Sequence, residues 1–474
     1  MATIVIEIPA QLKALVEPIE KLVEHVQRQC AVSRGATRAV DYGRIEEQTA
    51  EQVAAVERAA HQVQLSVLDI DERRVRIDGA LYTQVLRCPG RYRTMAGEVS
   101  VERSLYRQVG VRNAPTVDVV GLRAGVVGDG WLPATASAMA HALQRGTSRE
   151  AEAAGRLQQR LRYSHASYEE VGNAVGQLYA AQEQRISETL IERLQVAAEA
   201  VSVSVSVDRF SVPMAQEQPR PPGRPRKDAP KRLVKRVFHQ GYAATVTLHD
   251  EQAQALHTIR YACMPDGEPS TLLQDAAQDV LAMLGQRPEL KVVTLADGAP
   301  EMWKLLDSEI CEPRLGVKVY RLLDFYHLID KLSAAAKLIH GDEYEPVLVR
   351  WKMWLLNRVD AAVRILDELH LSEHEWTKVG DCCPVHDAIT YLTNNEQLMR
   401  YTVARRHALP IGSGIAEAAC KSFGMRMKRP GSRWKHDGAE HVLKLRALAL
   451  SDRWDDGMRL TLMPLRRAVH KLAA

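Results

Sequence analysis

No stretch of the sequence approaches the roughly 18 consecutive apolar residues that a membrane-spanning helix needs. The opening residues, MATIVIEIPAQLKALVEPIE, also lack the basic-then-apolar layout of a secretory leader. The expectation is a cytoplasmic protein without a membrane partner. Cys30, Cys88, Cys263, Cys311, Cys382, Cys383 and Cys420 are odd in number and contain no CxxC pair, which excludes a zinc ribbon and predicts reduced thiols. Cys382, Cys383 and His386 lie close together, but no second pair completes a zinc set. An excess of one charge is missing too: 63 Lys plus Arg stand against 59 Asp plus Glu, a formal +4 over 474 residues, so this is not a basic packing protein. With 46% apolar and 26% charged residues, a mainly disordered or fibrous chain is excluded and a large core can be buried.

Helical spacing runs through the first 72 residues, with Leu12, Leu15, Val16, Ile19, Leu22 and Val23, then Val53, Val56, Ala60 and Val63. It predicts a helical arm suited to self-association. Over 73–130 the period changes to two, in RVRIDGALYTQVL and RYRTMAGEVSVERSLYR, with Gly97 inside the latter as a hairpin turn between two alternating runs, and predicts a small β-rich unit. From 131 to 198 helical spacing returns, with Ser148 placed as an N-cap after Gly146 and Thr147. Two short helices about a glycine turn match a DNA-reading helix-turn-helix, and equally any small helical bundle.

The second half opens on VSVSVSVDRF, where Val201, Val203, Val205 and Val207 share one strand face and Asp208 stands at the end of the other. Strand and helix signals then follow in the order β-β-β-α-β-α-β, and Asp297 closes the fourth strand, KVVTLADG. If the first and fourth strands are neighbours, Asp208 and Asp297 converge at one sheet edge. Glu417, one turn into a late helix that Ser413 can cap, could complete the set. Three carboxylates about one point repel as bare anions but suit hard Mg²⁺ or Mn²⁺ ions, two of which can serve phosphodiester transfer. Any one such acid taken singly is more often solvated surface.

The segment LPIGSGIAEAACKSFGMRMKRPGSRW, together with SVDRFSVPM, GRPRKDAPKRLVKRV, TVTLHDEQAQALHTIRYACMP and KVVTLADGAPEMWKLL, resembles the DDE-type transposases of bacterial insertion sequences, specifically the ISKra type. The likeness covers at least residues 201–440. It implies a mixed α/β protein whose ribonuclease H-like catalytic domain is formed by 199–325 and 407–445, split by a helical insertion at 326–406 and followed by a helical tail at 446–474. It implies Asp208, Asp297 and Glu417 as the catalytic acids and metal ligands. It also implies double-stranded DNA as partner, both the element's terminal repeats and the target, with a homo-oligomer acting at the nucleoid.

Asp324 and His327 match a DxxH element of such transposases; i and i+3 on a helix share a face and could contact DNA, although an N-capping Asp beside a buried His fits as well. Two basic clusters are candidate DNA contacts. One lies around GRP and contains Arg224, Arg226, Lys227, Lys231 and Arg232; a solvated loop is the plainer reading of such a run. The other contains Lys421, Lys428, Arg429 and Arg433, with Trp434 free either to stack on a base or to pack. A non-catalytic repressor derived from a transposase, or a nuclease that cuts without joining, remain the rival functions.

Overall fold

The computed structural model describes residues 7–35, 39–216, 223, 234–264 and 269–472. The chain is mixed α/β with two five-stranded sheets, and it divides into two compact units: Met1–Ile186 with Asp455–Ala474, and Ser187–Trp454.

In the first unit, α1 (Val16–Gly35) and α2 (Tyr42–Ser66) realise the helical spacing at the start of the chain. The β-rich segment folds as β1 (Arg74–Ile77), β2 (Ala80–Thr94), β3 (Gly97–Gln108) and β4 (Thr116–Asp118). RVRIDGALYTQVL is two strands and not one run. Asp78 and Gly79 both take positive φ, 48° and 82°, and turn the chain back on itself, as Asp-Gly in a two-residue hairpin loop does. Helix α3 (Val119–Ala124) follows, then α4 (Pro133–Arg145), α5 (Ser148–Leu157) and α6 (His165–Ala180). The cap of α5 is Thr147, not Ser148: Thr147 accepts from the Glu150 amide while Glu150 reaches back to the Thr147 amide, a complete capping box. Ser148 is buried and donates to Glu169 at 2.6 Å.

In the second unit the sheet order is β7-β6-β5-β8-β9, with β5 at Ser202–Gln216, β6 at Lys235–His249, β7 at Ala255–Cys263, β8 at Lys291–Ala296 and β9 at Val319–Leu323. Only β6 runs against the other four. Helices α7 (Glu183–Glu192), α8 (Pro269–Gln286), α9 (Pro300–Glu309) and α10 (Glu312–Leu315) precede or interleave with these strands. Val203, Val205 and Val207 pack with Leu273, Ala276, Val280 and Met283 of α8, all essentially inaccessible to water. Each valine, leucine or methionine among them contributes roughly 1.5–3 kcal/mol of burial. The alternate Ser202, Ser204 and Ser206 are buried as well, since the sheet is covered on both faces, and Ser204 meets His249 at 2.8 Å.

After β9 come α11 (Phe325–His340), α12 (Tyr344–Asn357), α13 (Ala361–His370), α14 (Pro384–Asn395) and α15 (Tyr401–Arg406), which bury a core of their own around Leu328, Leu332, Trp351, Ile365 and Leu392. Helices α16 (Gly414–Met427) and α17 (His436–Leu450) then return to the sheet, α16 against β5 and β6 and α17 against β7. Within the stretch read as a helical tail, α18 (Trp454–Leu462) is followed by β10 (Val469–Lys471), which pairs with β1. Among the described residues no helix is long and apolar enough to cross a membrane.

Candidate active site

Register decides where the acids stand. Ser206 of β5 pairs with Leu295 of β8, and Leu295 pairs with Leu322 of β9. Two residues further on, in the same rows, come Asp208, Asp297 and Asp324. Side chains two apart on a strand share a face, so all three follow Ser206, Leu295 and Leu322. Leu295 and Leu322 pack with Ala404 and Leu409, which puts this row opposite the α8 side of the sheet. The Asp324 amide donates to the Ala296 carbonyl at 2.9 Å, fixing the end of β9 beside Asp297.

Asp208 does not terminate its strand. β5 continues to Gln216, paired with β6 through Lys235; what ends near Asp208 is the parallel pairing with β8. The expectation of a strand end fails because the antiparallel arm supplies backbone partners after β8 has left the ladder. Burial raises the Asp208 carboxyl above its ordinary range, and the Asp297 charge acts in the same direction. The Arg209 amide (2.6 Å), the Cys420 thiol and nearby His327 offset this only in part. Asp297 accepts from the Ala299 amide at 3.2 Å at the start of α9.

Glu417 lies in the first turn of α16, half-exposed, and forms an ion pair with Lys421 at 2.6 Å. Cys420 bridges the region. Three residues after Glu417, on the same helical face, its buried thiol hydrogen-bonds Asp208 and feels the Glu417 charge. Burial, with both carboxylates acting in the same sense, pushes this thiol far above its ordinary pKa, so it is a neutral donor and not a nucleophile. Phe423, one turn on, stacks on Phe210 at 5.8 Å and seats α16 on β5.

Asp324 takes the N-capping alternative. It is 2% exposed, and its carboxylate accepts from the His327 amide at 2.8 Å and from both the amide and hydroxyl of Ser413. It therefore caps α11 and fastens the loop before α16. Ser413 correspondingly makes no side-chain cap of its own helix, because its hydroxyl is engaged by Asp324. His327 is exposed, not buried, and near enough to Asp208 to influence its ionisation.

Sequence reasoning passed over Tyr391 of α14, whose hydroxyl accepts from the Gly298 amide at 3.2 Å and which feels the charges of Asp297 and Asp324. Burial pushes this phenol up to about 12. A Cβ on Gly298 would stand 2.6 Å from the Tyr391 ring, so glycine is what lets the Asp297 loop lie against α14. No sequence signal links residues so far apart in the chain.

Of the basic residues, Lys421, Lys428 and Arg433 are exposed, whereas Arg429 is half-buried. Trp434 is a packing residue: its indole N–H donates to the Met427 carbonyl at 2.9 Å, its backbone pairs with Pro213 and Ala215, and the Arg426 guanidinium lies 4.9 Å from its ring. Arg224, Arg226, Lys227, Lys231 and Arg232 lie outside the described residues. Among the described residues no group of three or more His, Cys, Asp or Glu is gathered so as to hold a metal ion. No family model matches the chain, and no curated protein matches it.

Proposed function

We propose that the protein is a DDE transposase of the ISKra type, a DNA strand-cleaving and strand-joining enzyme with a ribonuclease H-like catalytic domain. One observation carries the reading: Asp208 and Asp297 stand side by side at one edge of adjacent parallel strands, on the face that α16 and Glu417 cover. The β-β-β-α-β-α-β element order and the return of α16 to the first strand support it.

The residues suit a divalent cation. Two carboxylates near enough for one to be raised by its neighbour's charge as well as by burial would offer the oxygen donors that Mg²⁺ or Mn²⁺ favours. Asp208 and Asp297 would hold the ions; Glu417 would join them by releasing Lys421. Bound there, a pair of such ions supplies Lewis acidity for phosphodiester transfer. The chain's own groups do the positioning. Cys420 orients Asp208, Tyr391 and Gly298 hold the Asp297 loop, and the Asp324–Ser413 contact fixes the start of the Glu417 helix. Exposed Lys421, Lys428 and Arg433 offer charge to DNA phosphates. The DNA would be the element's terminal repeats and its target, and joining both ends together calls for a homo-oligomer.

The test is cleavage of a supercoiled plasmid carrying the repeats that flank the gene. Wild type with Mg²⁺ or Mn²⁺ should nick and join. Glu417→Gln, Asp208→Asn and Asp297→Asn should bind the ends yet lose activity by orders of magnitude, with double variants little worse than singles. Binding without cleavage by wild type would favour a repressor, and cleavage without joining a nuclease.

A further inference from the structure

The first unit contains an open cleft of about 700 Å³, larger than one phosphate requires. Arg91 and Arg93 of β2, Arg103 of β3 and Arg467 near the chain's end line it, against two acids, Asp118 and Asp129. The four guanidinium groups are not equally engaged. Arg103 pairs with Asp118 at 2.5 Å, and Asp118 also accepts from the Tyr92 hydroxyl. Even so, Arg103 Nε and Asp118 Oδ1 are buried without a hydrogen-bond partner, so the protein's own groups do not fully satisfy this wall. Arg93 lies over Trp131 at 4.9 Å and donates to the Asp129 carbonyl, which holds it in the rim.

Arg91 and Arg467 are different. Arg91 is 74% exposed, and its nearest acid, Glu98, is 3.8 Å away, beyond hydrogen-bond range. The Arg467 guanidinium pairs with the half-exposed Asp78 at 3.0 Å. Exposed pairs of this kind are weak, whereas a guanidinium meets a phosphate with two parallel charge-assisted bonds. The rim beside Arg91 is built closely: Gly130, at φ +88°, has no room for a Cβ against the Arg91 carbonyl, and its own carbonyl accepts from the Arg93 amide at 2.7 Å. Asp129, 91% exposed, stands 3.6 Å from Arg93, and four arginines against two acids leave the lining with a positive balance.

We propose that this cleft binds a phosphate-bearing ligand of nucleotide size, with Arg91 and Arg467 as its phosphate contacts. The volume falls in the range of small-ligand sites, and the charge selects an anion. A nucleotide unit of DNA and a free nucleotide share that chemistry. The proposal does not depend on the catalytic reading of the sheet edge.

Isothermal titration of the full-length protein with inorganic phosphate, a deoxynucleoside monophosphate and a short DNA duplex tests it. Saturable binding of at least one probe is expected, weakened about tenfold by Arg91→Glu and by Arg467→Glu, as loss of one charge-assisted contact implies. Arg91→Lys should give an intermediate loss, since it keeps the charge but not the fork. Arg74→Glu, at the exposed start of β1 and outside the lining, should change nothing. Monophosphate binding marks a free nucleotide as the ligand, and duplex binding alone marks the DNA backbone. No saturable binding of any probe, or an equal loss in Arg74→Glu, overturns the proposal. Probe binding here with no strand cleavage by wild type would sink the catalytic reading and leave this one standing.

Discussion

Asp208→Asn should stabilise the protein when no divalent cation is present, and should cut the stabilisation that such a cation brings. Adjacent strands lie about 4.8 Å apart, so carboxylates abreast at their ends repel by roughly 3 kcal/mol at an effective dielectric of about 20. Water and salt reach Asp208 in part, and reduce this to on the order of 1 kcal/mol. For a unit of this size that is a rise of roughly 2–4 °C in melting temperature. The raised folded-state carboxyl fixes the pH dependence. Its contribution favours the folded state below the ordinary carboxyl pKa and is lost as pH rises through the raised value, so wild type should fall behind Asp208→Asn as pH increases toward neutrality. Mg²⁺ or Mn²⁺ at a hundred times its Kd should add about 2.7 kcal/mol to wild type and, with binding weakened tenfold, about 1.4 kcal/mol or less to the variant. Thermal melts in chelator and in cation, from pH 4 to 8, read both effects. A variant less stable than wild type in chelator at neutral pH, or one that keeps the full cation shift, would refute the reasoning.

Asp324→Ala should cost about 2–4 kcal/mol in urea unfolding, because it leaves the Ser413 and His327 amides without their buried acceptor; a loss below about 0.5 kcal/mol would remove its fastening role. Gly298→Ala should cost about 1–3 kcal/mol by overpacking against Tyr391, and Tyr391→Phe in the same background should not restore the loss, since the clash is with the ring and not the hydroxyl. Cys420→Ser should keep cation-induced stabilisation, whereas Cys420→Val, which cannot donate to Asp208, should alter its pH midpoint in thermal melts.

Much of the second unit was legible because its signals are local. VSVSVSV announces a strand whose alternate faces differ, and the order of strands and helices follows from hydrophobic period. Asp208 and Asp297 were readable as sheet-edge acids once β5 and β8 were taken as neighbours. The misses have physical causes. Asp78-Gly79 is a hairpin signal that the surrounding two-residue period disguised. Thr147 outcompeted Ser148 because Glu150 stands three residues after it, completing a capping box. Ser413 and Asp324 are far apart in sequence, so neither revealed that the hydroxyl expected to cap α16 serves a carboxylate at the end of β9. Cys420 alone had a local clue, its i+3 spacing from Glu417. Tyr391 had none, since only the packing of α14 brings it to Asp297.

The most direct measurement of the central claim, that Asp208 and Asp297 together hold a divalent cation, is Mn²⁺ titration followed by electron paramagnetic resonance on the full-length protein and on Asp297→Asn. Wild type should show saturable loss of the free-ion signal, and Asp297→Asn should weaken that binding about tenfold or more, as removal of one of two charged ligands implies. Unchanged Mn²⁺ affinity in Asp297→Asn would contradict the account.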